Sequence, residues 1–231
     1  MMSRTEIIVS IIIAVLGSAG LNGLITHMLY NSKLKKEQKM RAKDIIWEKI
    51  VSAFEEIRQL EQKAKEQEIF DFESIFKKEG YTDFFKDVGH YPAIMDSFDT
   101  FFGFFKEVND ARGKLALYID PEVGAYLYYM HSYSMKLMEY MKKNNLVENY
   151  PLAGCFFFQD ILNWQTHFDD VIVKRLNRSS YKLYSEHGEK WEKAKKKVEG
   201  KLWNESVLCK LINNIDDPYI EMIKGIFADY V

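Results

Sequence analysis

The sequence predicts an all-α protein: one N-terminal transmembrane helix continuing into an amphipathic stalk, then a cytosolic helical bundle. Three observations carry this. Residues 7–30, IIVSIIIAVLGSAGLNGLITHMLY, form a run of 24 without Asp, Glu, Lys or Arg. A helix rising ~1.5 Å per residue needs ~20 such residues to cross ~30 Å of hydrocarbon. Beyond this run, apolar residues recur three or four apart in long windows, with no alternating stretches that read as strands. Only 4 prolines occur in 231 residues, which leaves room for long helices. The expected division is 1–30 for the membrane helix, 31–68 for the stalk and 69–231 for the bundle.

The apolar run reads as a retained anchor. A signal peptide would have a shorter apolar region, a positive flank before it and a small-residue cleavage site after it. Here Arg4 stands alone before the run, while Lys33, Lys35, Lys36, Lys39, Arg41 and Lys43 follow it. The positive-inside rule then puts the N-terminus outside and residues 31–231 in the cytoplasm. The middle of the run carries Gly17, Ser18, Gly20, Asn22, Gly23 and Thr26. Glycines cost a water-exposed helix ~1 kcal/mol each against alanine, so they serve something other than helix propensity. In lipid, small residues let helix backbones approach closely and polar ones seek a partner across the interface. Ala14 with Ser18 and Ala19 with Gly23 are small pairs four apart, and Ser18, Asn22 and Thr26 make one polar edge. These residues are the expected helix-association or pore positions of a homo-oligomer.

Along the stalk, Trp47, Ile50, Val51, Phe54, Ile57, Leu60 and Ala64 mark one helical face. The stretch IFDFESIFKKEGYTDFFKDVGHYP is irregular, and short helices and loops are expected there. Pro92 suits a first helical turn, with Ile94, Phe98, Phe101, Phe102, Phe105 and Val108 as a buried face ending near Gly113. Asp120 and Pro121 open the next helix as cap and first residue. In it Tyr126, Tyr129, Tyr133, Tyr140 and Leu137 share a face, and Tyr128 and His131 fall elsewhere. Further helices are expected over YPLAGCFFFQDILNWQTHFDDVIVKRL, over EKWEKAKKKVEGKLWNESVLCKLINN as one element, and after the second Asp-Pro start at Asp217 and Pro218. The bundle is thus five or six helices.

The net charge is −2, so whole-chain charge selects no polyanionic partner. Its distribution is uneven. Residues 174–201 hold ten basic and four acidic side chains. Within them Arg175, Arg178, Lys182, Lys195 and Lys196 are the expected contacts for a nucleotide or a single-stranded nucleic acid. The juxtamembrane lysines also suit anionic lipid. No catalytic signature occurs: no Gly-rich phosphate loop, no His-Glu-x-x-His, no Gly-x-Ser-x-Gly, and no Arg and His at the spacing of small helical nucleases. No catalytic residues and no cofactor are expected. The two cysteines, Cys155 and Cys209, make neither a disulfide framework nor a metal set. His167 with Asp160, Asp169 and Asp170 is a poor metal set, because adjacent Asp169 and Asp170 diverge on a helix.

One apolar helix, a lysine-rich stalk and a compact helical domain in under 250 residues resemble the small single-pass membrane effectors of bacterial anti-phage defence. Examples are the channel effector of Hailong systems and the membrane accessory protein of type VI CRISPR loci. The resemblance is one of architecture, and no residue is carried over from it. It implies an oligomer in the bacterial inner membrane that forms a channel or disrupts the bilayer. Its cytosolic domain would sense a signal, such as an oligonucleotide. The competing expectation is a non-conducting scaffold that recruits a partner protein, such as one encoded in the same operon. The charge asymmetry also gives a direct expectation: a reporter active only in the periplasm, fused after Val231, should be silent, and a cytoplasm-active one bright. The reverse pattern would invert the topology.

Overall fold

The computed structural model describes the backbone of residues 4–71, 88–115, 120–176 and 188–230, and the side chains of residues 27–71, 89–113, 120–174 and 188–229. Among these are seven α-helices, one 3-10 turn and one two-stranded sheet, so the fold is mainly helical, as the sequence predicts. Two compact units are present, Met1–Glu48 and Lys49–Val231. Among the described residues no helix is long and apolar enough to cross a membrane. Residues 7–26 of the expected membrane run are helical within α1 (Arg4–Lys65). Their side chains, those of Ser18, Asn22 and Thr26 included, lie outside the described residues.

In the first unit, Leu29, Leu34, Met40, Ile45 and Trp47 are exposed among the lysines. Asn31 Nδ2 lies 3.0 Å from His27 Nε2, one turn away.

In the second unit, α1 buries Ile50, Ala53, Phe54, Ile57, Leu60 and Ala64. Their spacing of three and four puts them on one face. The apolar stripe expected on a stalk is therefore core from Ile50 onward, except for the half-exposed Val51. Glu61 lies buried on this helix, and Lys65 one turn later pairs with its carboxylate. After Lys65 the chain leaves the helix: Glu66 O accepts the Ala93 N–H at 2.8 Å. β1 (Gln67–Asp71) then pairs antiparallel with β2 (Val88–Pro92), Ile69 opposite His90. This corrects the expectation of short helices and loops at the two ends of that stretch, whose residues 72–87 lie outside the described residues, and it moves Pro92 from a first helical turn to a strand end. Each strand has five residues. In β2 the buried side chain that matters is Tyr91, too little to write a readable alternation. Its ring meets Phe70 edge-on at 6.3 Å, and its hydroxyl donates to Asp96 at 3.0 Å.

A single 3-10 turn, Ala93–Met95, leads to α2 (Phe98–Leu115). Ser97 caps α2, its Oγ accepting the Thr100 N–H at 3.2 Å. The buried face is Phe101, Phe104, Val108 and Ala111. Phe98, Phe102 and Phe105, expected in that face, lie beside it as a half-exposed ladder. Their rings stack at 5.6 and 5.9 Å, and the ladder ends on His131 at 4.8 Å.

α3 (Pro121–Lys143) starts as the sequence predicts, with Asp120 accepting the Glu122 N–H at 2.9 Å. Tyr126, Tyr129, Tyr133 and Leu137 are buried on one face. α4 (Tyr150–Leu176) lies against α3 through Trp164, whose Nε1 donates to Tyr126 O at 3.0 Å. The expected single helix after Gly188 is two: α5 (Glu189–Leu202) and α6 (Val207–Ile212). The break follows from capping, since Ser206 Oγ accepts the Cys209 N–H at 3.1 Å and starts a new helix. α7 (Pro218–Tyr230) starts at the second Asp-Pro, Asp217 accepting the Tyr219 N–H at 2.9 Å.

α4 and β2 approach closely at Gly154. A Cβ there would meet Tyr91 Cβ at 2.9 Å and Met95 Cβ at 3.1 Å, whereas Gly103 on α2 faces open space. Gly154→Ala is expected to cost ~1–3 kcal/mol and to lower the thermal midpoint. Gly103→Ala should be neutral or gain ~0.5–1 kcal/mol. Equal midpoints for the two variants would mean that the approach is not tight.

Candidate ligand cleft

Asp160 on α4 organises this end of the bundle. Its carboxylate is buried. Oδ1 accepts the Val207 N–H at 2.8 Å, and Oδ2 accepts the Tyr133 hydroxyl at 2.9 Å and the Leu208 N–H at 3.2 Å. One side chain thus joins α3, α4 and the start of α6. Burial raises its pKa to about 6, against the opposing pull of the two backbone N–H groups, the Tyr133 hydroxyl and Lys210. The Tyr133 hydroxyl is raised well above its usual range, by burial first and then by the Asp160 charge.

With α6 held in this way, a cleft of about 570 Å³ opens between the end of α3 and the turns after α5 and α6. Lys136, Lys143 and Lys224 line it, with Glu139 as its one acidic residue, and Trp203 and Asn213 close it. A second cavity of about 310 Å³ shares Lys136 and Trp203 with the first and adds Lys196 and Glu199. Lys136 Nζ sits 3.7 Å from the centre of the Trp203 ring, a cation–π contact. Lys224 Nζ pairs with Glu221 at 2.7 Å. Among the described residues, Lys143 and Lys196 have no carboxylate within ion-pairing distance. Asn144 and Asn213 each donate one amide hydrogen to a backbone carbonyl, of Tyr140 at 2.7 Å and of Cys209 at 2.9 Å. With Lys224 already paired, Lys136 and Lys143 still outnumber the one carboxylate lining the cleft, Glu139, and a bound anion would offset that excess. The cleft can therefore hold an anion.

The expected ligand residues separate. Lys196 lines the smaller cavity. Lys195, its neighbour, points elsewhere: it lies 3.4 Å from Glu192 and 5.3 Å from the centre of the Tyr128 ring. Arg112 approaches the same ring at 5.6 Å, and Trp191 meets it edge-on at 5.7 Å. Arg175 is on the last turn of α4, its side chain outside the described residues, and Arg178 and Lys182 lie wholly outside them. No motif in the sequence singles out the lysines of α3 and α7. Their one signal is a pair of Asn-Asn helix ends. Asn145 and Asn214 both have positive φ, 54° and 50°, and each follows an asparagine that lines the cleft.

Among the described residues no group of three or more His, Cys, Asp or Glu is placed to hold a metal. His167 Nδ1 instead lies 3.1 Å from Lys201 Nζ. Burial pushes the Cys155 thiol up to about 12, so it does not offer a thiolate. Comparison with protein-family models, curated proteins and solved structures finds no match for this chain.

Asp160→Ala leaves three donors without an acceptor and should cost roughly 2–4 kcal/mol at neutral pH. The pH dependence runs opposite to that of an ordinary ion-paired aspartate. A carboxyl raised from ~3.9 to about 6 on folding holds its proton more tightly in the folded chain. That stabilisation is complete below about pH 4 and is lost as pH rises through about 6, on the order of 2–3 kcal/mol. Asp160→Asn cannot titrate. Denaturant unfolding should therefore show the gap between wild type and this variant narrowing as pH rises, and a constant gap would refute the raised pKa.

Proposed function

We propose that this chain is an oligomeric single-pass membrane effector. It forms a channel or disrupts the inner membrane under control of an anionic signal taken by its helical domain, in anti-phage defence. The observation that carries the reading is the uncharged run of residues 7–30 with six basic residues behind it. The glycines and the Ser18–Asn22–Thr26 edge support close self-association of that helix. The lysine-lined cleft supports ligand binding in the second unit.

Gly20→Leu with Gly23→Leu should block close helix approach. Expressed in bacteria, the wild type is expected to discharge a membrane-potential dye, and the double variant to discharge it several-fold more slowly. Native mass measurement in detergent should show smaller species for the variant. Oligomers that form without any ion flux would favour the non-conducting scaffold, and flux that ignores the double substitution would remove the glycines from the mechanism.

A further inference from the structure

We propose that the two cavities around Lys136 and Trp203 are one site for a phosphorylated aromatic small molecule of nucleotide size. Its phosphates would lie toward Lys143 and Lys224, and its flat ring would stack on Trp203. The proposal deepens the reading above and rests on its premise that the helical domain takes a soluble anion. Size comes first: the larger cavity, about 570 Å³, falls within the usual ~300–1,000 Å³ of small-molecule sites, and the smaller adds about 310 Å³ across the shared Lys136 and Trp203.

Charge comes next. Lys136, Lys143 and Lys224 face one acidic residue, Glu139, in the larger cavity. Among the described residues Lys224 is paired with Glu221 at 2.7 Å, whereas Lys136 and Lys143 have no carboxylate within ion-pairing distance. A di- or triphosphate presents several charged oxygens that can reach Lys136 and Lys143 together and compete with Glu221 for Lys224. Lysines on flexible stems reach such groups as point charges from several directions.

The indole identifies the remainder of the ligand. Trp203 is half-buried, and the group over its face is a lysine, with Nζ at 3.7 Å from the ring centre. A cation–π contact of an exposed lysine is weak beside a direct ion pair with phosphate. An arriving phosphate therefore draws Lys136 off the ring and frees the face for a flat partner. Asn213 and Asn214 line the same cavity, and their amide oxygens can accept from the polar edge of such a ring. A phosphate on a lipid headgroup satisfies the lysines equally well and leaves the indole unused. The ring is therefore what separates a soluble nucleotide from the bilayer.

The test uses the full chain in detergent micelles, with ATP and inorganic triphosphate as probes and Trp203 fluorescence and calorimetry as readouts. ATP should bind, change the Trp203 signal and lose affinity steeply between about 50 and about 200 mM salt. Lys143→Glu and Lys224→Gln should each weaken ATP severalfold, up to roughly tenfold, with helicity unchanged. Lys142→Glu, adjacent in sequence and outside the cleft, should change nothing. Trp203→Phe should remove the fluorescence response and keep binding. Triphosphate that binds as tightly as ATP, or anionic-lipid vesicles that compete as well as ATP, would overturn the ring assignment. Equal losses from Lys142→Glu and Lys143→Glu would overturn the site. If ATP binds as described but Lys143→Glu leaves ion flux unaltered, the site stands and the signal-controlled effector reading falls. If flux responds to Lys143→Glu without any binding of ATP, the site falls and that reading survives.

Discussion

Asp160 holds three parts of the helical unit together with one carboxylate. It receives a tyrosine hydroxyl from α3 and two backbone N–H groups from the first turn of α6, while itself belonging to α4. A charge so deep is costly unless its oxygens are hydrogen-bonded. Here three donors meet them, and the raised pKa shows that desolvation still outweighs those bonds. The fold accepts this because α6 has only six residues and cannot hold itself as an isolated helix. A buried acceptor at its first N–H groups does what its own length cannot. The wall of the lysine cleft depends on that anchorage.

Around this point the packing is aromatic. Trp164 is wholly buried, stacks on Phe168 at 5.0 Å and ties its indole N–H to the backbone of α3. Large rings bring much apolar area into the core with few rotatable bonds, so α3 and α4 meet at low entropic cost. The same preference explains the ladder of Phe98, Phe102 and Phe105. It lies on the flank of α2, where the rings cover one another's faces instead of entering the core.

The charges that look alike in the sequence do different work in space. Lys195 and Lys196 are adjacent, yet successive residues on a helix point about 100° apart, so one joins the Tyr128 cluster and the other lines a cavity. The acids and bases of α5 also pair across helices, as with Lys197 and Glu122 at 2.7 Å. A basic run is thus divided among local pairing, cross-helix pairing and the cleft, and its total charge says little about where an anion settles.

By itself the sequence determined the helical class, the buried stripe of α1, both Asp-Pro helix starts and the tyrosine face of α3. Each depends on local rules: a period near 3.6, a side chain that caps nearby N–H groups, and a proline whose missing N–H is not needed at a first turn. The uncharged run of residues 7–30 is of the same kind, because hydropathy is a property of consecutive residues. The tertiary structure decided the rest. Pairing of β1 with β2 depends on partners some twenty residues apart, and neither five-residue strand carries a pattern strong enough to announce it. The split between α5 and α6 begins at the local Ser206 cap, but α6 is held in place by Asp160, more than forty residues upstream of the N–H groups it accepts. The cleft gathers Lys136, Trp203 and Lys224 from separate elements. Such an assembly exists only once packing has brought distant segments together, since local periodicity encodes which face of a helix is apolar and not which other helix will cover it.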